Sequence, residues 1–126
     1  MQIEQFDTGL KDKKNIEDIE ITPIQNFNNK KFIRDSLQNI YNLKNNNLQN
    51  NLLKVFDENI RVNCFEPLNE FNGINNFLEK FWSPLFDAFP DLERRENIVI
   101  GGSFRDKVQV GSFSVLSGYF LKPWLG

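Results

Sequence analysis

The sequence predicts an α+β fold, and three observations carry that reading. Large apolar residues recur at helical spacing through residues 31–56 and again through 74–89. Two runs rich in Val, Ile, Phe and Tyr, residues 97–104 and 107–120, contain no proline and read as strands. Arg105 and Asp106 lie between them and supply a hairpin turn. The organising stretch is the second helical one. Phe81, Leu85 and Phe89 repeat at i, i+4 and i+8, with Trp82 and Phe86 flanking them, so several rings must enter a common apolar space. Because strands follow directly, the expected arrangement sets this aromatic rod in the hollow of a bent antiparallel sheet.

In chain order, residues 1–27 hold many charges and show no sustained apolar period, and read as a mobile arm, with a short strand at 19–24 as the structured alternative. Asn28 or Asn29 then offers an N-cap for a helix whose apolar face is Ile33, Leu37, Ile40 and Tyr41. Asn45, Asn46 and Asn47 end it, since Asn tolerates a left-handed backbone. A shorter helix follows on the stripe Leu48, Leu52, Leu53 and Phe56. Residues 59–65 alternate as a short strand that Glu66-Pro67 breaks, and a loop through Asn69 and Gly73 leads to the rod. Ser83-Pro84 predicts a kink or a split in that helix, and Pro90 its end. Residues 91–96 read as a charged connection with Arg94 and Arg95 solvated. Gly101 and Gly102 mark a bulge or a close approach of another segment. The apolar phase of the last strand changes near Gly111-Ser112, where a second bulge is expected.

Composition narrows the chemistry. The 126 residues make one ordinary domain, and a net charge of -2 with scattered basic residues argues against nucleic acid as a partner. A single cysteine, Cys64, cannot form an internal disulfide and suits a buried thiol in a reducing, cytoplasmic setting. The chain has no histidine, which removes the usual zinc ligands and the commonest acid-base group. No cofactor or metal is expected. Neither a signal peptide nor an apolar run long enough for a membrane span is evident, so no membrane partner is expected. Gly101-Gly102 lacks the spacing of a phosphate loop.

The segment from Trp82 to Leu92, with the pattern aromatic-x-Pro-Leu-Phe-x-x-Phe-Pro-Asp-Leu, resembles the helix-ending signature of SnoaL-like polyketide cyclases and ester cyclases, in the nuclear transport factor 2-like superfamily. The order of elements and the passage from Gly118 through Trp124 are similar too, and the likeness covers about residues 29–126. The resemblance implies a domain at 28–126 with a cone-shaped α+β barrel, helices packed on a curved antiparallel sheet, an aromatic-lined pocket for a small hydrophobic molecule, and a homodimer. Family members continue past such a Trp-Leu-Gly passage with two more strands, so an incomplete cone is expected, either a fragment or one closed by a partner subunit. In SnoaL itself the acid-base aspartate lies in that later region and has no counterpart here.

Candidate site residues follow from chemistry and resemblance together. Glu66-Pro67 resembles the acidic-residue-proline pair that ketosteroid isomerases of the superfamily use as general base; alternatively Glu66 begins a solvated loop. A carboxylate beside Phe65 and Phe71 could carry a raised pKa and move protons without histidine. Asp91 fits the family signature, or is a turn residue that accepts backbone N–H groups. Tyr41 and Tyr119 are phenols able to stabilise an oxyanion, or ordinary packed aromatics. Trp82, Phe86, Phe89, Phe113, Tyr119 and Trp124 line either a ligand pocket or a dry core. Two functions are therefore expected as alternatives: a cyclase or isomerase that transfers a proton next to a carbonyl, or a non-catalytic ligand-binding or dimerisation module. A solvent-reached cavity beside Glu66 of ~300 Å³ or more marks the first.

Overall fold

A computed structural model describes residues 19–124 of the chain. Its elements are α1 (Pro23–Leu43), α2 (Leu48–Leu53), β1 (Arg61–Asn63), β2 (Glu70–Asn72), α3 (Ile74–Phe77), a π-helical turn (Leu78–Trp82), α4 (Ser83–Ala88), β3 (Glu93–Phe104) and β4 (Lys107–Ser117). The fold is α+β. The strands form two separate antiparallel pairs, β1 with β2 and β3 with β4, and among the described residues no barrel closes.

Helix α1 starts earlier than its apolar period suggests. Thr22 caps it: its hydroxyl accepts from Gln25 N at 3.1 Å while Thr22 N donates to the Gln25 side chain at 2.8 Å, and Pro23 fills the first helical position. The cap is thus Thr22 rather than Asn28 or Asn29, and residues 23–27 of the expected arm are helical. Before it, Ile19 N donates to Arg105 O, so residue 19 touches the hairpin tip without joining a sheet. Residues 1–18 lie outside the described part. At the other end Asn47 (φ 55°, ψ 37°) takes the left-handed backbone that the asparagine triplet predicts, while the helix itself stops at Lys44 (φ 50°), just before the triplet. The buried Asn51 amide closes that turn by donating to Asn46 O.

Strand β1 is only three residues long, and its partner β2 is an element that the sequence does not announce. Arg61 reaches diagonally across this pair, from its place opposite Asn72, to Glu70 in a two-pronged, exposed ion pair. Gly73 leaves β2 at φ 88°, a backbone that residues with a Cβ rarely adopt, and so aims the chain into α3.

The rod splits where proline requires it. Pro84 has no N–H to continue the helical ladder, and just upstream the turn widens, with Ser83 N donating to Leu78 O five residues back. The rod still buries one continuous face, comprising Ile74, Phe77, Trp82, Leu85, Phe86 and Ala88. What covers that face differs from expectation. Ile40 and Tyr41 of α1, Leu48 and Leu52 of α2, Phe71 and Leu92 close over it. The β3–β4 hairpin lies instead against α1, so the rod does not occupy the hollow of that sheet. An amphipathic helix states that it needs an apolar partner, and the two leucine-bearing helices meet that need as well as a sheet does.

The hairpin itself follows the expected turn, with Phe104 opposite Lys107 and Arg105 at φ 56°. It begins at Glu93, four residues before the expected start, and its irregularity sits at Asn97, between the pairs Glu96–Ser114 and Ile98–Phe113. No shift of register occurs at Gly111-Ser112. The apolar phase changes there because the two faces have different neighbours: Val110 shares its face with Gly101, under α1, while Phe113 and Val115 are on the opposite face. Gly101 is the predicted close approach, since a Cβ there would stand 2.6 Å from Asn26 Oδ1 and 2.8 Å from Lys30 Cγ.

Two pairs of variants test this packing. Gly101→Ala should destabilise the fold by about 1–3 kcal/mol through overpacking under α1, whereas Gly102→Ala, with nothing within 4 Å of the added Cβ, should leave the urea midpoint nearly unchanged. Phe86→Ala, at a site 1% exposed, should cost about 3–5 kcal/mol, and Thr22→Ala about 1 kcal/mol. Equal effects of the two glycine variants in urea denaturation would contradict the placement of α1.

Candidate functional site

The residues singled out from sequence separate into three places. Tyr41, Trp82 and Phe86 meet in the core, with Tyr41 set edge-on to both other rings at 5.6 and 5.7 Å between centroids. Trp82 and Phe86 are thus buried among α1, α2 and the rod, where they fill space that a ligand would need. The Tyr41 hydroxyl makes no hydrogen bond among the described residues. Burial pushes its pKa above the ordinary 10.0, and the nearby charge of Arg94 offsets part of that rise.

A second group gathers where the chain returns after β4. Phe89 packs against Phe120 and Trp124, and Trp124 against Phe65, which brings the far end of the rod beside the turn after β1. Leu121 N donates to Ala88 O, satisfying a carbonyl at the end of α4. Asp91 accepts from Tyr119 N at 2.8 Å, a bond that ties the end of the rod to the chain after β4. Gly118 permits this, since a Cβ there would lie 3.1 Å from Leu92 Cα and 3.2 Å from Asp91 Oδ1. Tyr119 is 79% exposed. Glu66 is also exposed, at the edge of this group.

The third place is the hairpin, which holds Phe113. Its face away from α1 carries Ile98, Ile100, Phe113 and Val115, each more than half exposed, with Phe113 at 67%. A groove of ≈970 Å³ runs between Ile60 and Arg61 on one side and Ile100–Gly102 with Val108–Gly111 on the other. It is open, and Glu66 does not line it. A smaller groove of ≈530 Å³ lies where α1 meets the start of β3, lined by Tyr41, Asn42, Lys44, Arg94 and their neighbours.

Arg94 is the residue that the sequence reading misplaces. Its side chain is 3% exposed, paired with Glu96 at 3.3 Å and within 3.3 Å of Ser112 Oγ. The signal was present as a period of two: Leu92, Arg94 and Glu96 alternate onto the covered face, with opposite charges adjacent on it. Among the described residues there is no group of three His, Cys, Asp or Glu side chains placed to hold a metal, and no helix long and apolar enough to cross a membrane. No protein-family model, no curated protein and no solved structure matches this chain.

The raised Tyr41 pKa has a pH signature. A phenol that holds its proton more tightly when folded contributes stability that is complete below pH ~10 and is lost as pH rises beyond that, because the unfolded chain ionises first. Wild-type stability should therefore fall on alkaline titration more steeply than that of Tyr41→Phe, with similar values at neutral pH. Parallel curves from pH 8 to 11 would contradict the burial of this hydroxyl. Asp91→Ala should cost about 1 kcal/mol, while Glu66→Gln should leave stability unchanged, both read by urea denaturation.

Proposed function

We propose that this chain is a non-catalytic association module, and that its β3–β4 hairpin joins the hairpin of a second copy through β4. One observation carries the reading: β4 has a free edge among the described residues and almost no charge. Of its eleven residues only Lys107 is charged, whereas β3 opens with Glu93, Arg94, Arg95 and Glu96. Free strand edges are commonly protected by charge, proline or cover, and β4 lacks the first two. Phe113 and Val115, exposed on β4 itself, would meet side chains of the second copy across the new strand pair and lose part of their exposure. Antiparallel pairing of β4 with itself is self-complementary and closes as a dimer, which limits further growth. A two-stranded hairpin gains stability from becoming four-stranded.

Proton transfer by Glu66 has weaker support. Glu66 is exposed, Trp82 and Phe86 are packed in the core, and the grooves at β1 and at α1 are lined by other residues.

Light scattering across a dilution series tests association. The wild-type chain should be dimeric at the upper end of the micromolar range, and Phe113→Lys with Val115→Lys should weaken the dimer by roughly tenfold or more, since like charges would then face one another across the β4–β4 pair. Both positions are exposed, so far-UV circular dichroism should be unchanged. A wild-type monomer throughout, or a dimer indifferent to the two lysines, would refute the proposal.

A further inference from the structure

The face of the β3–β4 hairpin turned away from α1 has no cover among the described residues. Ile98, Ile100, Phe104, Phe113 and Val115 stand on it by register, each more than half exposed. Large apolar side chains gathered on one side of a two-stranded sheet mark a binding surface, unlike single ones scattered over a protein. Gly102 and Gly111 lie on the same face and keep its middle shallow, with nothing within 4 Å of a Cβ built on Gly102. Ile100, Gly102, Gln109 and Gly111 of this face help to line the ≈970 Å³ groove, whose other wall is Ile60 and Arg61.

The groove runs as far as Ser103 and Val108, beside the hairpin tip. It is at this tip that Ile19 N donates to Arg105 O. Residues 1–18 are therefore tethered within a few residues of the groove. They include Ile3, Phe6, Leu10 and Ile16 among their charged and polar neighbours. Eighteen residues reach at most about 60 Å when extended, whereas β3, with 12 residues, is about 40 Å long, so the segment can span the whole face. A short tether sets a local concentration on the order of millimolar, which lets modest apolar contacts prevail over those of an untethered partner. Charge agrees as well: Glu17 and Asp18 directly precede Ile19, and the tip carries Arg105 and Lys107 against the single carboxylate of Asp106.

We propose that residues 1–18 of the chain dock on this face of the hairpin, with their apolar side chains against Ile98, Ile100 and Phe113. The segment covers the sheet on the side that α1 leaves open. It does not use the free edge of β4, so it is compatible with pairing of two copies there and independent of it.

Spin labelling of the full chain tests this. With a nitroxide on Thr8→Cys, in a chain whose one cysteine is replaced by Cys64→Ala, the backbone amides of Ile98, Ile100, Gly102 and Gly111 should be strongly broadened. Phe6→Asp with Leu10→Asp should lower that broadening by roughly threefold or more, since two apolar anchors are lost, and should leave any broadening at Arg105 and Asp106, next to the tether. Broadening confined to the tip in the parent chain, or broadening along β3 indifferent to the two aspartates, would overturn the proposal. So would equal broadening of an isotope-enriched, unlabelled chain mixed with the spin-labelled one, because the occupant would then be a second copy. The parent readout is taken within one chain, so failure of the dimer leaves it intact.

Discussion

The three-ring contact of Tyr41, Trp82 and Phe86 is the constraint on which the rest of the structure depends. It joins the last turn of α1 to the middle of the rod, within one continuous buried cluster. Burying a ring of this size contributes about 1.5–3 kcal/mol from area alone, and edge-on aromatic pairs add roughly 0.5–1.5 kcal/mol each. Once α1 is fixed there, its N-terminal half must project past the core. It then covers one face of the hairpin, where Gly101 makes room for Asn26 and Lys30. The hairpin's other face is left without cover, and the exposed apolar surface is a direct consequence.

That arrangement also decides where charge is buried and where apolar surface is left open. The C-terminal part of α1 and the first residues of β3 meet beside the core, so a charged side chain entering there is buried whether or not its donors are filled. Arg94 occupies that position, anchored by Glu96 and Ser112. Farther along the hairpin α1 covers one side only, and β4 forms a free edge. A buried charge and an exposed apolar face thus arise at different ends of one element, from the same packing of α1.

Much of the fold was legible in the sequence, and the reasons are local. The period of Ile33, Leu37, Ile40 and Tyr41 gave α1, the asparagine triplet its end, Ser83-Pro84 the break in the rod, and Arg105-Asp106 the hairpin turn. Thr22-Pro23-Ile24-Gln25 also carried its cap signature, but the charged residues before it drew the boundary too late. Strand β2 is three residues, Glu70-Phe71-Asn72, too short for a period to show. The placement of the rod was not legible for a deeper reason: an apolar stripe records how much surface must be covered and is silent on which element covers it. Of the candidate site, the bond from Asp91 to Tyr119 N was not readable, because it joins residues 28 positions apart. Nor was Arg94, because a run of four charged residues resembles a solvated connection until its alternation is set against Leu92.

The most direct measurement is a set of long-range nuclear Overhauser contacts from the Trp82 indole and the Phe86 ring. The account predicts strong contacts to Tyr41, Ile40 and Leu52, and none to Ile98, Ile100 or Phe113. Contacts from either ring to those three hairpin residues would put the rod back inside the sheet and contradict it.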